Sequence, residues 1–122
     1  MRLWYLVLVL AFLAGVLFGV SLSARPARAQ SAEVAEAIHE AATTYGVSER
    51  WLRSIAWCES RFSPGATSRG GHAGLYQYSR STWRTLSALA GYPGTSPYDP
   101  WSAALVTAWA LRNGFSTHWS CA

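Results

Sequence analysis

Glu59 is the residue of this sequence whose type and position suit acid–base chemistry. It follows Leu52, Ile55 and Ala56 at helical spacing, so the four side chains share an arc of about 100° on one helix face. This places a carboxyl group at the end of an apolar stripe, where burial and the negative end of the helix dipole raise its pKa. A carboxyl group that stays protonated near neutral pH can act as a general acid. The alternative is a glutamate at a fraying helix end that points into solvent.

The remaining titratable side chains have plainer explanations. Three glutamates of the first helical segment are spaced as on a solvated face, Glu49 favours the dipole at the start of the next segment, and Asp99 is an expected N-cap. Three histidines lack the spacing of metal ligands, so the sequence predicts neither a metal site nor a cofactor. No second carboxyl group is expected beside Glu59. The glutamates and histidines in question are Glu33, Glu36, Glu40, His39, His72 and His118.

Four segments have the apolar spacing of α-helices, and the second of them carries Glu59. Glycines stop the first and third segments, and a proline follows Asp99 at the first helical position of the last. A Gly-rich loop follows the second segment, and a loop with two prolines follows the third. No alternating segment of strand length stands out, although a short hairpin in the Gly-rich loop stays open as an alternative. The sequence therefore predicts a mainly α domain. Its expected N-caps are Ser31, Ser48, Ser79 or Ser81, and Asp99.

Two motifs lie on either side of the Gly-rich loop. They read Glu59-Ser60-Arg61-Phe62-Ser63-Pro64-Gly65-Ala66-Thr67-Ser68 and Gly74-Leu75-Tyr76-Gln77-Tyr78. In order and spacing they resemble the E-S-x-F-N-P-x-A-x-S and G-L-M-Q-hydrophobic signatures of lytic transglycosylases, within the lysozyme-like superfamily. The chain is also similar to resuscitation-promoting factors and to small actinobacterial and phage wall-lytic domains. Residues 114–121 resemble the C-terminal segment of those small wall-lytic domains. The resemblance covers about residues 34–121 and implies a small lysozyme-like fold, with about four helices around a cleft.

Carried over residue by residue, the resemblance assigns roles within the two motifs. Glu59 would be the general acid and then the base, and Ser68 would lie near it, binding substrate or ordering the glutamate. Gln77 and the backbone of Tyr76 would line the sugar subsites, and Gly74 would let the chain approach closely. Tyr76 stands where the family has Met, which suggests an aromatic surface on which a sugar ring stacks. The family's Tyr-Asn-x-Gly motif is absent, so the subsites are less defined than the acid.

The resemblance implies cleavage of the β-1,4 bond between N-acetylmuramic acid and N-acetylglucosamine in peptidoglycan. Ordinary glycosidases use two carboxyl groups, whereas a single acid suits attack by the muramyl 6-hydroxyl, which leaves a 1,6-anhydromuramyl end. A muramidase with one acid is the alternative within the class. A cell-wall module that binds glycan without cleaving it is the alternative outside it. No metal or organic cofactor is implied.

The first residues of the chain have the composition of a leader. Residues 3–24 carry no charge, and Ala27-Arg28-Ala29 has the small-x-small pattern of a signal peptidase site. We expect a signal peptide over residues 1–29, cleavage before Gln30 and a mature domain over residues 30–122. Because the apolar stretch approaches the roughly 20 residues that span a bilayer, a retained anchor over residues 3–24 is the alternative. Either way we expect an exported protein of the periplasm, cell wall or extracellular space, which touches the membrane only through an uncleaved leader.

Cys58 and Cys121 form an even pair in a small exported domain, which predicts one disulfide. Two unrelated buried thiols are the alternative. The resemblance implies the same pairing, since the similar wall-lytic domains carry a cysteine that pairs back to the catalytic helix.

The net charge of +4 is unevenly distributed. Residues 30–122 carry seven arginines against six acidic residues, which leaves +1. We therefore expect no nucleic-acid partner. The length allows one small domain, and we expect it to be a monomer. Four arginines lie near the two motifs, where they suit the carboxylates of muropeptides; solvated surface residues are the alternative. They are Arg61, Arg69, Arg80 and Arg84.

Overall fold

The computed structural model describes residues 23–122, which form four α-helices and one short 3-10 helix. Within these residues no strand forms, and two isolated β-bridges join Thr67 to Ala73 and Ala73 to Tyr78. The mainly α fold predicted from the sequence is confirmed, and the hairpin left open in the Gly-rich loop is reduced to these bridges. The elements are α1 (Ala27–Tyr45), α2 (Glu49–Ser60), α3 (Arg80–Ala90), α4 (Pro100–Arg112) and the 3-10 helix (Ser116–His118).

Helix α4 forms the centre of the domain and is buried on most of its faces. It packs most extensively against α1 and touches α2 and α3. Small side chains allow the axes of α1 and α4 to approach closely, and area burial of the larger core side chains supplies the main stabilisation. The fully buried alanines of α1 and α4 are Ala37, Ala41, Ala103, Ala104, Ala108 and Ala110.

Three of the expected N-caps are present. Ser48, Ser79 and Asp99 accept hydrogen bonds from the backbone N–H groups of the first turns of α2, α3 and α4. The cap expected at Ser31 is wrong, because α1 begins at Ala27, directly after the extended residue Pro26. The alanine-rich start of α1 favours helix at every position, and the Ser31 hydroxyl instead donates to the carbonyl of Arg28.

A close backbone contact, and not the cleft, requires glycine at position 74. Its φ is +80°, and a Cβ at this position would lie 1.9 Å from the carbonyl oxygen of Pro97. The close approach expected at Gly74 is therefore real, but its partner is the loop between α3 and α4. The loop between α2 and α3 therefore packs directly against the loop between α3 and α4 at this contact.

We expect Gly74→Ala to lower the free energy of unfolding by about 2–3 kcal/mol, because strain at positive φ adds to the overlap with Pro97. Urea unfolding measures the loss. The control is Gly94→Ala, where φ is +74° but nothing lies within 4 Å of the new Cβ, so only the smaller backbone cost remains. Equal losses in both variants would contradict the packing role of Gly74.

The predicted disulfide is present and joins Cys58 to Cys121, with the two Cα atoms 6.1 Å apart. It ties the last turn of α2 to the end of the chain, and the alternative of two unrelated thiols is excluded.

The predicted leader lies largely outside the described residues, and only its part from residue 23 onward is seen. Ala27, Arg28 and Ala29, the expected cleavage signal, form the first turn of α1. Among residues 23–122, no helix has the length and apolar character needed to cross a membrane. The signal peptide and the anchor both stay predictions.

Candidate active site

An open cleft of about 560 Å³ lies at the end of α2. Three parts of the chain form it: the last turn of α2, the loop between α2 and α3, and the segment after α4. Two of its residues, Ser68 and Gln77, were predicted together with Glu59, and five were not. The lining residues are Glu59, Ser68, His72, Gln77, Thr117, His118, Trp119 and Ser120.

The Glu59 carboxyl group is half-buried in the cleft. Partial burial raises its pKa above the ordinary value of a glutamate, and the charge of His72 opposes this shift more weakly. None of the other residues that line the cleft carries a carboxyl group. The cleft therefore holds one acid whose protonated form is favoured by its surroundings.

A tight turn at the end of α2 holds Glu59 in place. Arg61 and Phe62 both adopt left-handed backbone conformations, with φ of 54° and 59°. Their N–H groups donate to the carbonyls of Trp57 and Ala56, which closes the helix end. Two consecutive non-glycine residues in this region are strained, and such strain persists only where the surrounding structure enforces it.

Ser60 connects the two sequence motifs. Its hydroxyl donates to the Leu75 carbonyl at 2.8 Å and accepts from the N–H of Ser63 at 3.1 Å. The residue after Glu59 is thereby fixed to the residue before Tyr76. Ser60 was not among the predicted site residues, although its position next to Glu59 in the first motif was a signal for such a role.

Ser68 lies in the same cleft as Glu59, but its hydrogen bonds are to His72. The Ser68 Oγ accepts from the His72 N–H at 3.1 Å, and the Ser68 N–H donates to the His72 carbonyl at 3.0 Å. These bonds close residues 68–72 into a turn that forms one wall of the cleft. His72, for which no function was predicted, thus lines the cleft together with Glu59.

Gln77 lines the cleft and braces the loop behind it. Its Nε2 donates to the carbonyls of Gly74 at 2.9 Å and Ala66 at 3.2 Å. Because both amide hydrogens are used internally, Oε1 is the atom of this side chain left to bind a ligand.

Tyr76 lies in the core and not in the cleft. Its side chain is 0% exposed, and its carbonyl accepts a hydrogen bond from Trp119 Nε1 at 3.0 Å. The sugar-stacking surface expected from Tyr76 is therefore wrong, because the ring fills the space between the helices. Neither Tyr76 nor Gly74 is among the residues that line the cleft.

The Tyr76 hydroxyl is buried without a hydrogen-bond partner among the described residues. We expect Tyr76→Phe to raise the free energy of unfolding by about 1 kcal/mol, because an unsatisfied buried polar group is removed. The matched control is Tyr78→Phe, since the Tyr78 hydroxyl bonds to Thr107 Oγ1 at 2.7 Å and its loss costs about 1 kcal/mol. Thermal unfolding of the two variants measures both signs. A loss of stability in both would show that the Tyr76 hydroxyl is satisfied in solution.

The segment after α4 forms the opposite wall of the cleft. The Cys58–Cys121 disulfide ties this wall to α2, and the Trp119 indole bond to the Tyr76 carbonyl ties it to the loop between α2 and α3. The sequence contained a signal for this wall. A disulfide from Cys58, the neighbour of Glu59, must bring the residues next to Cys121 close to the acid. Within residues 23–122, no three His, Cys, Asp or Glu side chains are grouped closely enough to hold a metal ion.

The fold and the cleft together define a small helical domain of the lysozyme-like class. A family model described as the transglycosylase SLT domain matches residues 36–118. The chain therefore belongs to the transglycosylase SLT domain family, as its motifs predict.

A curated relative, the peptidoglycan transglycosylase gp16 of Escherichia phage T7, is 45% identical to this chain over 47 residues. The match covers 38% of this chain and 4% of the phage protein, so the chain spans a small part of its relative's length. The family model supports the predicted enzyme class, a transglycosylase.

Proposed function

We propose that this chain cleaves the β-1,4 bond between N-acetylmuramic acid and N-acetylglucosamine in peptidoglycan and leaves 1,6-anhydromuramyl ends. The observation that carries the proposal is Glu59, a half-buried carboxyl group of raised pKa and the only acid among the described residues that line the cleft. The second carboxylate of an ordinary glycosidase has no counterpart among the residues that line the cleft, and this favours the substrate's own hydroxyl as the nucleophile.

Glu59 performs two proton transfers in this mechanism. The protonated carboxyl group first donates its proton to the bridging oxygen, and the bond from that oxygen to the muramyl C1 breaks. Positive charge develops on the muramyl ring, and the Glu59 carboxylate stabilises it. The muramyl O6 then attacks C1 while its proton passes to Glu59, which restores the acid. No water is consumed, so the product is lighter than a hydrolysis product by one water.

The other polar groups of the cleft bind and orient the glycan. Gln77 Oε1 accepts from sugar hydroxyl or acetamido groups, and Ser68 contributes a hydroxyl at the wall beside His72. Both are held by hydrogen bonds within the loop, so they are positioned before substrate arrives. The partner implied is peptidoglycan, and we propose that the chain acts as a monomer without a cofactor.

Digestion of purified peptidoglycan with the oxidised full chain tests the proposal, with mass spectrometry of the products. Anhydromuropeptides would support the transglycosylase, whereas products with reducing ends would assign a muramidase that uses the same acid. An undigested wall that still sediments with the protein would replace the enzyme by a glycan-binding module.

We propose in addition that the domain works outside the cytoplasm. The Cys58–Cys121 bond supports this, because disulfides persist in oxidising compartments. N-terminal sequencing of the protein from an expressing bacterium distinguishes the two leaders: a start at Gln30 supports the signal peptide, and an intact start supports the anchor.

A further inference from the structure

A second cavity, of about 350 Å³, lies beside the candidate active site. The turn of residues 68–72 separates the two: Ser68 and His72 line the first cleft, whereas Gly71 and Ala73 line the second. A branched polymer bound in the first cleft can therefore pass a branch over this turn into the second. The residues of the second cavity are Gly71, Ala73, Tyr78, Arg80, Trp83, Thr95, Ser96, Pro97 and Tyr98.

The walls of the second cavity are held in place before any ligand binds. Trp83 Nε1 donates to the Thr95 carbonyl at 2.8 Å, and the hydroxyls of Thr67 and Tyr98 lie 2.6 Å apart. The contact of Gly74 with Pro97 closes the same two loops on each other. A cavity that is already formed loses little conformational entropy on binding.

Arg80 is the charged residue of this cavity, and it has no acid partner among the described residues. Among the arginines of residues 23–122, Arg25 and Arg53 form ion pairs, with Glu33 and Glu49. The nearest acid along the adjoining loop, Asp99, is occupied by the N–H and the hydroxyl of Ser102. The Arg80 guanidinium is thus free to pair with a carboxylate brought by a ligand.

We propose that the second cavity binds the peptide stem of peptidoglycan and that Arg80 pairs with a carboxylate of the stem. This inference rests on the proposed function. Stems branch from the lactyl group of N-acetylmuramic acid and carry free carboxylates, so a muramyl residue in the first cleft delivers a stem to the turn of residues 68–72. Tyr98, 42% exposed, gives the short apolar side chains of the stem a surface to pack on.

Titration of the 15N-labelled full chain with the stem tetrapeptide L-Ala-γ-D-Glu-diaminopimelate-D-Ala tests the site by NMR. We expect saturable shifts at the amides of Gly71, Ser96 and Tyr98 and at least a tenfold weaker Kd in Arg80→Gln. The matched control is Arg84→Gln, one turn further along α3 and outside the cavity, where Kd should stay within about twofold. Thermal unfolding of both variants checks that each is folded.

Several outcomes would overturn the site. These are shifts confined to Thr117–Ser120, an unchanged Kd in Arg80→Gln, equal binding of a fully amidated tetrapeptide, or equal shifts with inorganic phosphate, which would indicate an unselective anion site. The peptide contains no glycosidic bond, so its binding does not depend on Glu59. Stem binding without glycan cleavage would refute the proposed chemistry alone, and cleavage without stem binding would refute the stem site alone.

Discussion

Glu59→Gln is expected to lower glycan cleavage by about 10³-fold or more while the protein stays folded. General acid catalysis contributes roughly 10²–10⁴-fold, and within residues 23–122 no other carboxyl group lines the cleft to replace Glu59. Glutamine keeps the size of the side chain but has no proton to donate to the leaving oxygen. Release of soluble muropeptides over time measures the effect.

The same substitution has a predicted signature in stability. Because burial raises the pKa of Glu59 in the folded chain, the wild type loses stability as pH rises from the ordinary pKa of a glutamate through the raised pKa. Glu59→Gln has no such loss, so its stability relative to the wild type should increase over that pH window and stay constant above it. Urea unfolding between about pH 3 and pH 8 measures the difference.

Glu49→Gln is the matched control, on the same helix and outside the cleft. Hydrogen bonds from His39 and Arg53 lower the pKa of Glu49, so its contribution to stability exists above the ordinary pKa and is lost as pH falls. This variant should keep wild-type activity and show the opposite pH trend. Full activity in Glu59→Gln, or a matching loss in Glu49→Gln, would remove Glu59 from the mechanism.

Loss of the disulfide is expected to cost about 4 kcal/mol of stability. The bond closes a long loop, with a sequence separation of 63 residues, and the chain-entropy relation for that length gives this magnitude. The double variant Cys58→Ser, Cys121→Ser should unfold at much lower urea concentration than the oxidised wild type. Serine at both positions leaves the chain otherwise unchanged, so the shift reports the bond.

Activity should fall together with this stability, even under conditions where the double variant is still folded. Residues 117–120 form one wall of the cleft, and the bond between Cys58 and Cys121 anchors that wall to the helix that carries Glu59. A reducing agent serves as the control: it should affect the wild type and leave the double variant unchanged. A wild type that keeps its stability and activity after complete reduction would contradict the anchoring role.

The sequence predicted the helices well because their information is local. Ser48, Ser79 and Asp99 cap the helices they precede, and apolar spacing marks their buried faces. The cap predicted at Ser31 was wrong because this residue lies inside an alanine-rich stretch that is helical on both sides of it. Propensity along the whole segment outweighed one capping side chain.

The motifs predicted site residues correctly only where the side chain of the motif residue points into the cleft. Glu59 and Gln77 face the cleft, whereas Tyr76, one residue before Gln77, faces the core. Which way Tyr76 points depends on the loop conformation, including the positive φ of Gln77, and no local pattern encodes that. The wall of residues 117–120 is likewise a tertiary feature, fixed by a bond across the length of the domain.

The packing of α1 against α4 has a consequence for the newly made chain. These helices are the first and the last of the described residues, so the core cannot close until synthesis has passed residue 112. At about 5–20 residues per second, a finished α1 waits roughly 3–13 s for its partner. During that time the nascent polypeptide has no native core to hold it compact.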